Sequence, residues 1–216
     1  MKKLLLTAIL SFSLSSIATG NTYDNLIQGA RMGDVPQIQA LLARGASADT
    51  TDPEGNTLLM LAARDGHVNL VKLLVQHRAK LNARNAAGDT ALGLAALQGH
   101  LTVVQQLVSA GASQTVPGWP PLVYAAFNGH LKVLEYLLVN GAAINAASDN
   151  GMTALMAAAR GGHLASVQTI LAANADLNAL SDRDESALDI ALRFKNTDIA
   201  DLIRSRGGKP GHELRK

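Results

Sequence analysis

Gly55-Asn56-Thr57-Leu58-Leu59-Met60-Leu61-Ala62-Ala63-Arg64-Asp65-Gly66-His67 is the stretch whose reading decides the fold. It returns as Gly88-Asp89-Thr90-Ala91-Leu92 through Ala95-Ala96-Leu97-Gln98-Gly99-His100. It returns again from Gly118 to Gly129-His130, and from Gly151-Met152-Thr153-Ala154-Leu155 to Gly162-His163. A worn copy runs from Asp184 to Asn196. The leading positions 55, 88, 118, 151 and 184 are separated by 33, 30, 33 and 33 residues. Self-similarity at that period marks a solenoid, in which no unit can bury its apolar face alone. The chain therefore reads as one elongated domain in which each unit touches only its neighbours.

Each unit divides into two short helices. In residues 52–84, Thr57 is placed to cap the first helix, because its hydroxyl can accept from an orphan backbone N–H. Leu59 and the pair Ala62-Ala63 pack inward, and the small alanines let neighbouring helices approach closely. Gly66 takes the turn, and Val68 to Gln76 forms the second helix with Leu70, Val71, Leu74 and Val75 inward. The units that follow are 85–116, which ends three residues early, 117–147 and 148–180. Residues 22–51 form an opening cap without the leading Gly-x-Thr turn, and 181–208 a polar closing cap in which Lys195-Asn196 replaces Gly-His. The position after each second helix reads Gly45, Arg78, Gly111, Gly141, Asn174 and Gly207. It calls for positive φ, which Gly adopts freely and Asn tolerates. Arg78 is expected to be strained there. The tail 209–216 is basic and is expected to be solvated.

The pattern Gly-x-Thr-x-Leu, Ala-Ala-x-x-Gly-His, x-x-Leu-Val-x-x-Leu-Leu and Gly-Ala-x-x-Asn resembles the ankyrin repeat, from residue 22 to 208. That resemblance implies an all-α solenoid of stacked helix-turn-helix pairs with projecting β-hairpin or turn loops and a concave face. The family's Thr-Pro-Leu-His motif is half kept. Its Pro is replaced by Leu58, Ala91 and Ala154, and its His by Met60, Gly93, Val123, Met156 and Asp189. In the family that His links neighbouring units, so its loss implies weaker coupling between them. The segment Ser113-Gln114-Thr115-Val116-Pro117 and Gly118-Trp119-Pro120-Pro121 leaves a shortened third finger, expected to be a tight, stiff turn because prolines cannot donate to a ladder.

Met1-Lys2-Lys3, an apolar run from Leu4 to about Ile17, and Ala18-Thr19-Gly20 have the layout of a secretory signal peptide over residues 1–20, cut after Gly20 or Ala18. A membrane anchor is the competing reading, but the run is short of the ~20 residues a spanning helix needs. Lys2 and Lys3 account for the whole formal charge of +2, leaving 17 bases against 17 acids after cleavage. A neutral balance argues against a nucleic-acid partner. There is no cysteine, hence no disulfide framework and no lipid attachment site after export. A soluble, monomeric protein of a bacterial periplasm is expected.

His67, His100, His130 and His163 recur once per unit. Stacked units lie about 10 Å apart, whereas zinc ligands converge to about 2 Å, so these histidines read as structural. No phosphate loop, dinucleotide glycine pattern or nucleophile elbow occurs. Neither an enzyme nor a cofactor or metal is expected. The resemblance implies that a partner protein contacts the finger tips and the exposed ends of the inner helices. On the fingers these are Glu54, Asn56, Asp89, Trp119, Met152 and Arg183. On the inner helices they are Arg64, Leu97, Phe127, Asn128, Arg160, Arg193 and Phe194. An aromatic centre rimmed by arginine is what binding hot spots look like; alternatively, Trp119 folds over the shortened turn and covers Pro117 and Pro120. The function expected is a non-catalytic interaction module. The alternative is an inhibitor, an immunity-type factor against a toxic hydrolase, or an escort, since small exported proteins of this kind are sometimes paired with a catalase.

Overall fold

Helices of seven to nine residues are marginal on their own in water, so the packing between units holds them. The computed structural model describes residues 22–215. The expected signal peptide, 1–20, lies outside the described residues. The opening cap pairs α1 (22–32) with α2 (Val35–Ala43). The units follow as α3 (Leu58–Arg64) with α4 (Val68–Gln76), and α5 (Ala91–Gln98) with α6 (Leu101–Ser109). Next come α7 (Pro121–Phe127) with α8 (Leu131–Val139), and α9 (Ala154–Gly161) with α10 (Leu164–Ala172). The closing cap pairs α11 (Ala187–Arg193) with α12 (Thr197–Ser205), and α13 (Gly211–Leu214) ends the chain.

The inner helices α3, α5, α7, α9 and α11 stack on one another in sequence, and so do the outer ones. Inner helices are covered on both sides by neighbours, so they are apolar nearly all round: Leu58 to Ala63 are all buried in α3. The alanine pairs Ala62-Ala63, Ala95-Ala96, Ala125-Ala126 and Ala158-Ala159 are fully enclosed at 0% exposure, which is what allows this close stacking. Outer helices bury one stripe, as α4 does with Leu70, Val71, Leu73 and Leu74. Thr57, Thr90, Thr153 and Ser186 cap the inner helices by accepting from the backbone N–H three residues on. At α7 Pro120 stands in the cap position with no side-chain bond. The fingers are turns, and two of them carry a single antiparallel bridge, Thr51 with Thr57 and Ala147 with Thr153. No helix among the described residues is long and apolar enough to cross a membrane.

The recurring histidines couple the units. Each uses Nε2 on the carbonyl near the end of the preceding inner helix: His67 on Arg31 (2.9 Å), His100 on Arg64 (3.0 Å), His130 on Leu97 (3.0 Å) and His163 on Phe127 (3.1 Å). A carbonyl only accepts, so Nε2 carries the proton. In the closing cap Asn196 takes over with a bond from Nδ2 to the Ala159 carbonyl (2.8 Å). The family histidine is lost, but this second set of side chains spans every one of these junctions.

The left-handed position after each outer helix is occupied as expected, at φ 91° for Gly45 and 59° for both Arg78 and Asn174. A β-carbon in that region costs about 1–2 kcal/mol. Arg78→Gly is therefore expected to stabilise the protein by about 0.5–1 kcal/mol, after the entropy of the more flexible unfolded glycine is subtracted. Urea titration of the two proteins measures it; no gain, or a loss, would mean that the Arg78 side chain makes compensating contacts.

The basic tail departs from expectation, since it docks. Lys209 N–H donates to Asn178 Oδ1 (3.0 Å), Gly211 N–H donates to Asp189 Oδ2 (2.6 Å), and Arg215 pairs with Asp184 (3.0 Å). The first bond repeats those from Lys80 N–H to Asp49, Ser113 N–H to Asn82 and Asp176 N–H to Asn145. The tail thus occupies the place where a further unit would begin, which satisfies groups that the last unit would otherwise leave open.

Candidate protein-binding face

The fingers form a tied row before any partner arrives. Ala86 N–H donates to the Glu54 carbonyl (3.1 Å), Gly118 N–H to Asp149 Oδ1 (3.1 Å), and Asp182 N–H to the Asn150 carbonyl (3.2 Å). Asp52 is the hub of the first finger. Its side chain is fully covered. It accepts from Asn56 N–H (2.8 Å), Asn56 Nδ2 and Glu54 N–H (3.1 Å), and pairs with Arg31 (3.2 Å). Burial pushes the Asp52 pKa up, but the bonds from Asn56, Arg31 and Glu54 together hold it below the ordinary value of 3.8.

Two expected contact residues are placed elsewhere by this row. Asn56 and Met152 are buried, at 8% and 7% exposure. Asn56 is bound to Asp52 on one side and accepts from Asn85 Nδ2 of the next finger (2.8 Å) on the other. The position just before the capping threonine faces the finger base, and the true tips are a few residues earlier. Glu54 and Arg183 are exposed. Asp89 is half-buried and accepts from the Tyr124 hydroxyl of the following unit. Burial, and then the Asp89 carboxylate, push the Tyr124 pKa well up, so it stays a phenol and a donor.

Along the inner-helix ends runs a continuous aromatic and arginine strip. Trp119 stacks on Tyr124 with ring centres 5.3 Å apart and 24° between planes. Phe127 meets the same indole edge-on at 6.0 Å and 87°. Arg160 places its guanidinium 5.3 Å from the Phe127 ring centre and 5.2 Å from that of Phe194. Arg193 lies 5.1 Å from Phe194 and pairs with Glu185 (3.1 Å). Trp119 and Phe127 are half-buried against the core, while Phe194 is 42% exposed. Asn128, exposed, donates to the Leu97 carbonyl (2.7 Å). Arg64 stands apart at the other end, held in a two-point pair with Asp65 (3.0 and 3.2 Å). That pair, more than the opposing effect of burial, raises its pKa.

The strip thus joins Trp119, Phe127, Arg160, Arg193 and Phe194, and it recruits Tyr124, which the sequence reading did not single out. Tyr124 sits at a helical spacing of three from Phe127, and that spacing was the available signal. Beyond Arg160 a cleft of about 310 Å³ opens between the last two fingers, lined by Asn150, Arg183, Glu185 and Phe194 among others. Among the described residues no group of three or more His, Asp or Glu side chains is arranged to hold a metal ion.

A chain in the structure of the Bd0816 predatory endopeptidase from Bdellovibrio bacteriovorus in complex with immunity protein Bd3460 is 30% identical, with a TM-score of 0.73, covering 84% of this chain and 97% of that one. The human ASB11 ankyrin repeat domain has a TM-score of 0.77 at 24% identity, covering 86% of this chain and 89% of that one; at that identity the likeness concerns the fold. No curated protein matches in sequence. A family model described as ankyrin repeats (3 copies) matches residues 26–117 and 122–213, and the break between them falls on the shortened finger. With its stacked helix pairs and a family match over nearly every described residue, the chain belongs to the ankyrin-repeat family and is built as a protein-interaction module.

Proposed function

We propose that this protein is exported to the periplasm of a bacterium and there binds a single partner protein through the concave strip from Trp119 to Phe194. The observation that carries the reading is the strip itself. Four rings and two arginines lie side by side on a backbone tied by histidine and finger hydrogen bonds, so little order has to be imposed on binding. Aromatic and arginine side chains are the types that dominate interface energy.

The partner class favoured is an enzyme that the module occludes. This rests on the 30% identical chain from the endopeptidase–immunity protein complex, which aligns over 97% of its length. The reading of residues 1–20 as a signal peptide supports the compartment, since an occluder of an exported enzyme has to be exported with it.

The test uses the full chain expressed in a bacterial host, with a C-terminal affinity tag. The mature protein in the osmotic-shock fraction is expected to lack residues 1–20 by mass. Captured from that fraction, it is expected to retain one enzyme and to inhibit it. The double variant Trp119→Ala/Phe127→Ala, checked for retained helicity, is expected to lose at least 100-fold in affinity, equal to about 3 kcal/mol across two hot-spot side chains. Equal capture by the variant would remove the strip from the function. An intact N-terminus in the cytosolic fraction would remove export.

A further inference from the structure

We infer that Arg160 is a carboxylate anchor: it receives an Asp or Glu side chain from an extended segment of the partner, with an apolar residue of that segment seated on Trp119. This rests on the strip being the binding face. Arg160 differs from the other arginines of the inner surface. Arg64 is closed by Asp65, and Arg193 by Glu185. Arg160 has no carboxylate within ion-pair distance among the described residues, although it is held at two ring contacts, 5.3 Å from Phe127 and 5.2 Å from Phe194. A guanidinium that rings hold by its π-face still presents N–H groups along its edge, and these match a carboxylate in a two-point pair. The rings also restrict its rotamers before binding, which is the usual loss when a long side chain is recruited.

The surroundings select the same chemistry. The cleft beside Arg160 is lined by Arg160, Arg183 and Arg193 against Asp182 and Glu185, and Glu185 is already engaged by Arg193. The remaining balance favours an incoming negative charge. At about 310 Å³ the cleft has room for an inserted side chain, whereas a helix about 10 Å across would have to lie over it. Ring centres 6.0 Å apart for Trp119 and Phe127, and 5.3 Å onward to Arg160, set the apolar and acidic seats at most about 11 Å apart, which admits the ~7 Å step between same-face residues of an extended chain. Side chains of an extended chain alternate faces, so the recognised segment carries its apolar and acidic residues two positions apart, on the same face.

A random-peptide library displayed on phage and selected on the purified full-length protein tests this. The selected peptides are expected to share an Asp or Glu two positions from an aromatic or branched aliphatic residue. Synthetic copies are expected to bind Arg160→Met about 30-fold more weakly, because the apolar stem and ring contacts survive while the carboxylate loses its partner. Replacing the acid by its amide should cause a similar loss in the wild type and almost none in Arg160→Met. Circular dichroism of Arg160→Met, an exposed position, checks that the fold is kept. Peptides that need Trp119 and Phe127 but bind Arg160→Met equally well would overturn the anchor and leave the binding face standing. Peptides indifferent to Trp119→Ala/Phe127→Ala, or no enrichment at all, would overturn both.

Discussion

Alanine at Gly129 is expected to destabilise the protein by about 3 kcal/mol and to broaden its urea transition. Two effects add. Gly129 has φ 69°, a region that costs an alanine about 1–2 kcal/mol. A β-carbon there would also lie 2.6 Å from Cγ of His163, the residue whose Nε2 holds the Phe127 carbonyl of the same unit. The ring has to leave, and that hydrogen bond, worth about 0.5–1.5 kcal/mol, goes with it. Gly141 supplies the control. Its φ is 85°, but a β-carbon there meets nothing within 4 Å, so Gly141→Ala should show the backbone cost alone. The double variant Gly129→Ala/His163→Ala should cost less than the sum of its parts, because the clash is gone. Strict additivity would mean that the ring is not seated on the glycine. Broadening is expected because a solenoid holds its cooperativity in nearest-neighbour interfaces, and this change weakens one in the middle of the array.

Removing the Asp52 carboxylate is the second large effect. Asp52→Ala is expected to cost about 2–4 kcal/mol at neutral pH, since it strands the buried donors of Asn56 and removes the acceptor of the part-buried Glu54 N–H. The Arg31 pair adds little, because that guanidinium is 49% exposed. The pH dependence has a defined sign. The folded pKa lies below the unfolded value near 3.8, so the contribution is fully present above that value and is lost as pH falls through the folded one. Asp189 behaves alike: burial pushes it up, but bonds from Ser186 and Gly211 hold it low. The gap in urea midpoint between wild type and Asp52→Ala should therefore narrow from pH 7 to pH 2.5. A gap that stays constant would show that the charge is not what the finger depends on.

The sequence by itself determined the architecture, because a solenoid is specified locally. The 33-residue period, the capping Thr57, Thr90 and Thr153, the enclosed alanine pairs and the left-handed Arg78 and Asn174 all follow from residues a few positions apart. What could not be read there depends on residues about 30 to 37 positions apart, brought together only by the stacking of one unit on the next. Asn56 and Met152 look exposed within a single unit and are buried once the neighbouring finger lies against them. The glycine of one turn receives the histidine of the following unit, a fact invisible in the Gly-His pair as written. The tail looks like solvated charge until the open end of the last unit is there to accept it. The same register carries Arg160 between Phe127 and Phe194, each on a different unit, and so only the tertiary structure decided which side chains make up the face offered to a partner.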